Sequence, residues 1–256
     1  MTPSESRPGS MAPGPENLGP STLPPPEYHP RWSHILPALE RLERDIRQMN
    51  KRFGLVAAQD LADSGFFQRH IMDSLLPWPA ITSILEASGR SVLHDLGSGA
   101  GLPGIPLGLL VGDLVTETVL IERRTKRATF LMGELPPLRA LVPDATFRLW
   151  EGDALALSRR PTWNGGNAMV VFRAYQQTSD QFLRELAAMY PPGTPVCAWK
   201  GAHEQTRQEL RILEGSPHAT EGRIIPLLGE TEETGVERSL LTWNVASPIA
   251  PPNQPA

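Results

Sequence analysis

The sequence contains a single cysteine, Cys197, among 256 residues. A lone thiol excludes an internal disulfide and any zinc site built from cysteines. Inside Val196-Cys197-Ala198-Trp199 it reads as a small core residue. No stretch reaches the ~20 apolar residues of a membrane span, and the N-terminus lacks the apolar core of a signal peptide. Excess positive charge is missing as well. Twenty-four Lys and Arg face 28 Asp and Glu, a net charge of −4. Coating nucleic acid by bulk attraction is thereby excluded, whereas a local basic face is not. These absences lead us to expect a soluble, cytoplasmic, monomeric protein with no membrane or metal partner.

What the chain has in quantity is proline (27) and glycine (22), unevenly spread. Residues 1–30 hold nine prolines and three glycines with few apolar residues. Such a segment cannot bury enough surface to offset its ordering entropy, and it is expected to be a disordered tail. Residues 247–256 read the same way. Between the tails, 31–88 is expected to be a helical N-terminal cap and 89–246 a domain of alternating strands and helices.

In the first region Leu39, Leu42, Ile46, Met49 and Phe53 recur at helical spacing from about Pro37, and Gly54 ends the run. A second helix is expected over Ser64 to Leu76, with Arg69 and Asp73 as an i,i+4 ion pair; a short third runs from Pro79 to Ala87. Strands are expected at Val92–Leu96, Glu117–Glu122, Ala145–Glu151, Ala168–Ala174 and Thr194–Lys200. Helices are expected at Ile105–Val111, Thr125–Leu135 (stopped by Pro136-Pro137), Asp180–Tyr190 and Glu204–Leu213. Two last strands, Gly222–Leu228 and Ser239–Val245, have no helix between them. The pattern predicts a mainly parallel α/β sheet of about seven strands with an antiparallel edge.

The densest signal lies at Asp95-Leu96-Gly97-Ser98-Gly99-Ala100-Gly101-Leu102-Pro103-Gly104. A buried strand runs into glycines and then a helix, the turn by which a backbone approaches a bound cofactor. Nicotinamide dinucleotides and S-adenosylmethionine both use it. In both, an acidic residue at the end of the next strand accepts from a ribose, which points to Glu122. At the following strand end, Glu151-Gly152-Asp153 can accept from an adenine amino group. The G-S-G-A-G spacing and the absence of a Tyr-x-x-x-Lys pair favour S-adenosylmethionine, with a nicotinamide-dependent oxidoreductase as the alternative.

Arg69-His70-Ile71-Met72-Asp73-Ser74, the glycine stretch with its Leu-Pro-Gly-Ile-Pro extension, and Lys126-Arg127-Ala128-Thr129-Phe130-Leu131 together resemble a known family. It is the bacterial small-subunit ribosomal RNA guanine-N7 methyltransferases, the glucose-inhibited division protein B family. Arg173-Ala174-Tyr175, Lys200-Gly201 and Glu237-Arg238 fall in its order, and the resemblance covers about 38–245. It implies a class I methyltransferase (Rossmann-like) fold, S-adenosylmethionine as donor, and methylation of guanine N7 in 16S ribosomal RNA or the small subunit. Carried over by position, Gly97 and Leu102 contact the cofactor from the loop, and the glycine turn itself adds Gly99 and Gly101 to the expected cofactor-binding residues. Glu122, Gly152 and Asp153 hold its ribose and adenine, and Arg173 stands at the cofactor or substrate edge as the catalytic candidate. The chain departs from the family at Gly54-Leu55-Val56, where Asn-Leu-Thr is usual, at Glu122 in place of aspartate, and at His94 inside a strand.

Guanine N7 has a free lone pair at neutral pH, so methylation needs no general base, only positioning and electrostatics. His70 accordingly reads as a packing residue rather than an acid or base. Arg123, Arg124, Lys126 and Arg127, clustered past a strand end, are expected to contact RNA phosphates, with Lys200 extending the basic rim. A non-catalytic ribosome-assembly protein on the same fold, or a methyltransferase for another acceptor, fits the same residues.

Overall fold

The computed structural model describes residues 24–62, 65–201, 203–227 and 238–246, and the apolar segments lie side by side in one seven-stranded sheet. β1 (Val92–Leu96), β2 (Glu117–Glu122), β3 (Phe147–Glu151), β4 (Ala168–Arg173) and β5 (Pro195–Lys200) are parallel. β6 (Ala219–Leu227) and β7 (Arg238–Val245) close the edge; β7 runs antiparallel to both β5 and β6. The spatial order is β3-β2-β1-β4-β5-β7-β6. The expected antiparallel pair is therefore present, and the order reverses between β1 and β4. Ligands of open α/β sheets bind outside the strands' carboxyl ends at such a reversal.

Period-two alternation feeds two cores. Leu93, Leu120, Met169, Val171 and Cys197 face one side; Val92, Val119, Val170, Phe172 and Val196 face the other. The Cys197 thiol is fully buried, and burial pushes its pKa up to about 12. The first face is covered by α1 (Trp32–Phe53), α4 (Trp78–Ser88), α5 (Gly104–Leu110) and α6 (Thr125–Leu141). The second face meets α8 (Asp180–Met189) through Phe182, Leu183 and Leu186. Shorter pieces intervene: α2 (Ala58–Ala62), α3 (Asp73–Leu75) and α7 (Ala154–Leu157); α9 (His203–Gly215) packs on β6 and β7. No helix among the described residues is long and apolar enough to cross a membrane.

α1 starts at Trp32, ahead of the expected Pro37, which sits inside the helix. Ile35, Leu39, Leu42 and Ile46 are completely buried, each contributing about 1.5–3 kcal/mol relative to exposure. That burial outweighs the backbone bond the proline removes. Likewise α6 continues through Pro136 and Pro137 to Leu141 instead of stopping at Leu135, because Leu138 reaches the same core as Leu131 two turns earlier. Gly54 caps α1 in the left-handed region as expected. The Asn50 side chain fixes the next turn by accepting from Leu55 and Val56 N–H at 2.8 and 2.9 Å.

The ordered body also begins before residue 31. Pro26–Tyr28 form a 3-10 turn with Pro26 buried; the Trp78 indole donates to Pro24 O and packs edge-on against His29. Residues 1–23 and 247–256, read as tails, lie outside the described residues, as does Glu237.

Candidate functional site

The carboxyl edge of the sheet gathers the ends of five strands. After β1 the chain turns sharply: Gly97 and Ser98 N–H both donate to Ile121 O, and Ser98 Oγ bridges Asp95 O and Ile121 N–H. α5 begins so close to β1 that a side chain at Gly104 would strike the Asp95 carboxyl. That contact lets Gly104 N–H donate to Asp95 Oδ2 at 3.2 Å. Asp95 is fully buried, its Oδ1 has no partner among the described residues, and burial raises its pKa to about 7.

Two cavities open at this edge. The smaller, about 150 Å³, is lined by Gly97, Glu122, Gly152, Asp153 and Tyr175, with Arg123, Arg124 and Arg127 along its wall. The larger, about 630 Å³, is lined by Asp60, His70, Asp73, Arg173, Trp199 and Lys200 among others. Ala174, Tyr175 and Gln176 belong to both. The Tyr175 ring lies directly over Gly97, where an added Cβ would collide with it. Ala174, just before it, holds a positive φ of 52°, a conformation uncommon without glycine.

Gly97, Glu122, Gly152 and Asp153 are thus brought together. Glu122 accepts from Gly99 N–H at 2.9 Å and Arg124 N–H at 2.7 Å, and Asp153 caps α7 by accepting from Ala156 N–H at 3.1 Å. The other loop residues are placed differently. Gly101 makes room for Ile105 and Leu131, which a Cβ there would strike. Leu102, expected against the cofactor, is buried in the core while its N–H donates to Ser98 O. The side chain that follows the glycines is needed inside because α5 packs immediately behind it.

Arg173 leaves the end of β4 and enters a socket made by the 69–74 motif. Nη1 donates to His70 O at 3.2 Å, to Asp73 Oδ2 at 3.3 Å and to Ser74 Oγ at 3.5 Å, and Nη2 meets His70 Nδ1 at 3.3 Å. Asp73 Oδ1 accepts from Arg238 Nε at 2.9 Å. Asp73 therefore serves two guanidiniums from β4 and β7 in place of the expected pairing with Arg69. Residues Phe67–Met72 form a π-helical turn, and Asp73, just past it, lies within reach of both guanidiniums. Burial together with the Arg173 charge lowers the His70 pKa to about 4.

The basic cluster divides. Arg123, Arg124 and Lys126 are exposed, but Arg127 Nε donates to Gly54 O at 3.1 Å and ties α6 to the end of α1. Lys200 is turned inward, bound to Glu209 at 2.6 Å with its side chain 11% exposed. An ammonium already paired at that depth is poorly placed for a phosphate. Sequence reasoning missed Asp60, Asp95, Glu209 and the double role of Asp73. Only Asp95 and Asp73 stood in motifs that drew attention.

A family model described as rRNA small subunit methyltransferase G matches residues 35–136. A protein of that name from Treponema denticola is 26% identical over 211 residues, covering 72% of this chain and 79% of its own. The Treponema pallidum protein of the same name is 35% identical over 144 residues, 56% and 58% of the two chains. The chain thus spans under two thirds of that second relative. Among solved structures, an O-methyltransferase from Bacillus cereus in complex with SAH superposes with a TM-score of 0.54 at 14% identity, covering 82% and 91% of the two chains. The O-methyltransferase TomG from Streptomyces achromogenes, in complex with SAM, gives 0.50 at 17% identity over 82% and 90%. The likeness defines the fold as the class I methyltransferase sheet.

Proposed function

Because the chain belongs to the rRNA small subunit methyltransferase G family, we propose that it transfers a methyl group from S-adenosylmethionine to guanine N7 in 16S ribosomal RNA. One juxtaposition supports the reading: the cavity lined by Gly97, Glu122, Gly152 and Asp153 opens beside a roomier one at the switch point of the sheet, with Ala174, Tyr175 and Gln176 between them and Arg173 on the wall of the larger. The residues present fit the cofactor. On the wall of the smaller cavity Glu122 suits a ribose and Asp153 an adenine amino group. Gly97 lets the Tyr175 ring pack against the loop where a Cβ would collide with it. When bound, S-adenosylmethionine supplies a methyl group on a positively charged sulfur.

The chain's own part is to position and to shield. N7 presents its lone pair without deprotonation, so no side chain has to remove a proton. His70, held neutral at pH 7 by its lowered pKa, acts as a fixed hydrogen-bonding group. Arg173, locked by four contacts, is a preorganised positive group that needs no rearrangement when an anionic group arrives. Arg123 and Arg124 flank the entrance of the smaller cavity, where RNA phosphates would neutralise them.

Calorimetric titration should give binding of S-adenosylmethionine and none of NAD(P). Mass mapping of 16S RNA from a strain lacking the gene should show one guanosine without its methyl group, restored by the wild-type chain. An unchanged methylation map overturns the proposal.

A further inference from the structure

Three carboxylates stand on the wall of the larger cavity, and two are spoken for. Asp73 holds Arg173 and Arg238, while Glu209 holds Lys200 and Thr178. The third, Asp60 in α2, accepts no hydrogen bond at its carboxylate among the described residues, and its side chain is 34% exposed. Its neighbour is His70 Nε2, 3.8 Å away and buried without a hydrogen-bond partner. The tautomer follows from Arg173. A guanidinium has only hydrogens to offer, so His70 Nδ1 accepts from it and Nε2 carries the ring proton. The neutral ring thus points an N–H at Asp60 without cancelling its charge. Arg69 Nη2 reaches the Asp60 backbone carbonyl at 3.4 Å and fixes the same short helix.

We propose that Asp60 reads the acceptor base: its carboxylate accepts from the N1–H and exocyclic amino group of guanine in the larger cavity, with His70 as the positioning residue that aims it. The inference rests on the function proposed above. A volume of about 630 Å³ lies within the range of small-ligand sites, about 300–1,000 Å³. Guanine carries two adjacent N–H donors on this edge. Adenine has a lone pair at N1 there, which a carboxylate repels, so the group selects by rejection as well as attraction. N7 lies across the ring system from this edge and is left unobstructed. Methylation leaves a positive charge on the base, which a nearby carboxylate stabilises as it develops.

The test is methyl transfer from S-adenosylmethionine to small subunits reconstituted with 16S RNA that carries guanosine or inosine at the mapped position. Inosine keeps N7, O6 and N1–H and lacks only the amino group. The wild-type chain is expected to lose about tenfold or more in kcat/KM on inosine, the scale of a paired base contact. Asp60→Asn should lose at least as much on guanosine and treat the two bases alike. Its calorimetric affinity for cofactor should be unchanged, because Asp60 lies outside the smaller cavity. His70→Gln, which keeps a side-chain N–H, should retain the preference for guanosine, and His70→Ala should lose it. Equal wild-type rates on both bases, or a guanosine preference that survives in Asp60→Asn, overturns the inference. If Asp60→Asn fails to fold, the wild-type comparison alone decides. A wild-type chain that methylates neither subunit overturns the proposed function instead.

Discussion

His94 sits in the middle of β1, an interior strand of the sheet, with none of its surface exposed. Its Nδ1 meets Tyr190 Oη at 3.1 Å and its Nε2 meets Asn164 Oδ1 at 2.6 Å, with Trp150 and Trp163 packed around the ring. Burial lowers its pKa from 6.5 to about 4. Between those values the unfolded chain takes up a proton that the native ring refuses. Stability should therefore fall as pH drops from about 6.5 toward 4, by up to about 3 kcal/mol from this residue. Asp95 acts in the opposite sense: its native carboxyl keeps a proton up to about pH 7, so its contribution grows as pH falls over that range. Urea denaturation at pH 7 and 4.5 should show a smaller acid loss in His94→Gln than in the wild type; equal losses would remove His94 from the account. That a histidine stood oddly in an apolar strand was legible in the sequence. Its partners, 70 and 96 positions away, were not, because no local pattern marks a hydrogen bond between residues so far apart in the chain.

At the scale of elements, the 69–74 segment is where local reasoning and the fold part company. Helical spacing paired Arg69 with Asp73, yet Asp73, just past a π-helical turn, pairs with two guanidiniums from distant strands. Removing the charge at Asp73 leaves Arg173 largely buried without its counter-ion. We expect Asp73→Asn to destabilise the protein by about 3–5 kcal/mol and to lower methyl transfer. A denaturation midpoint within error of wild type would contradict this. The strands were readable because apolar runs bounded by glycine and acidic residues leave few alternatives. The prolines misled: they predicted an end to α6 and a late start to α1, and tertiary burial overrode both.

For the whole molecule, a net charge of −4 has to be reconciled with the proposed binding to a polyanion. Arg123, Arg124 and Lys126 are the exposed cations beside the smaller cavity. The double variant Arg123→Ala/Arg124→Ala should weaken RNA binding and flatten its salt dependence by roughly one unit of slope per lost contact. Since both residues also line the smaller cavity, cofactor affinity should fall with them, unlike that of Lys126→Ala. An unaltered slope, measured from low to moderate salt, would make these arginines a solvated rim. The parallel sheet and its antiparallel edge could be foreseen from the alternation of elements. The closing of α1 over α5 and α6 could not, for it depends on contacts such as Arg127 to Gly54 that join residues 73 apart.

Tyr175 carries one more consequence. With its ring over Gly97 and a left-handed residue just before it, we expect that side chain to swing away before cofactor seats against the loop. Association of S-adenosylmethionine should then be limited by a unimolecular event. In stopped-flow traces the observed rate should level off as cofactor concentration rises, whereas Tyr175→Ala should give a straight line through the same range.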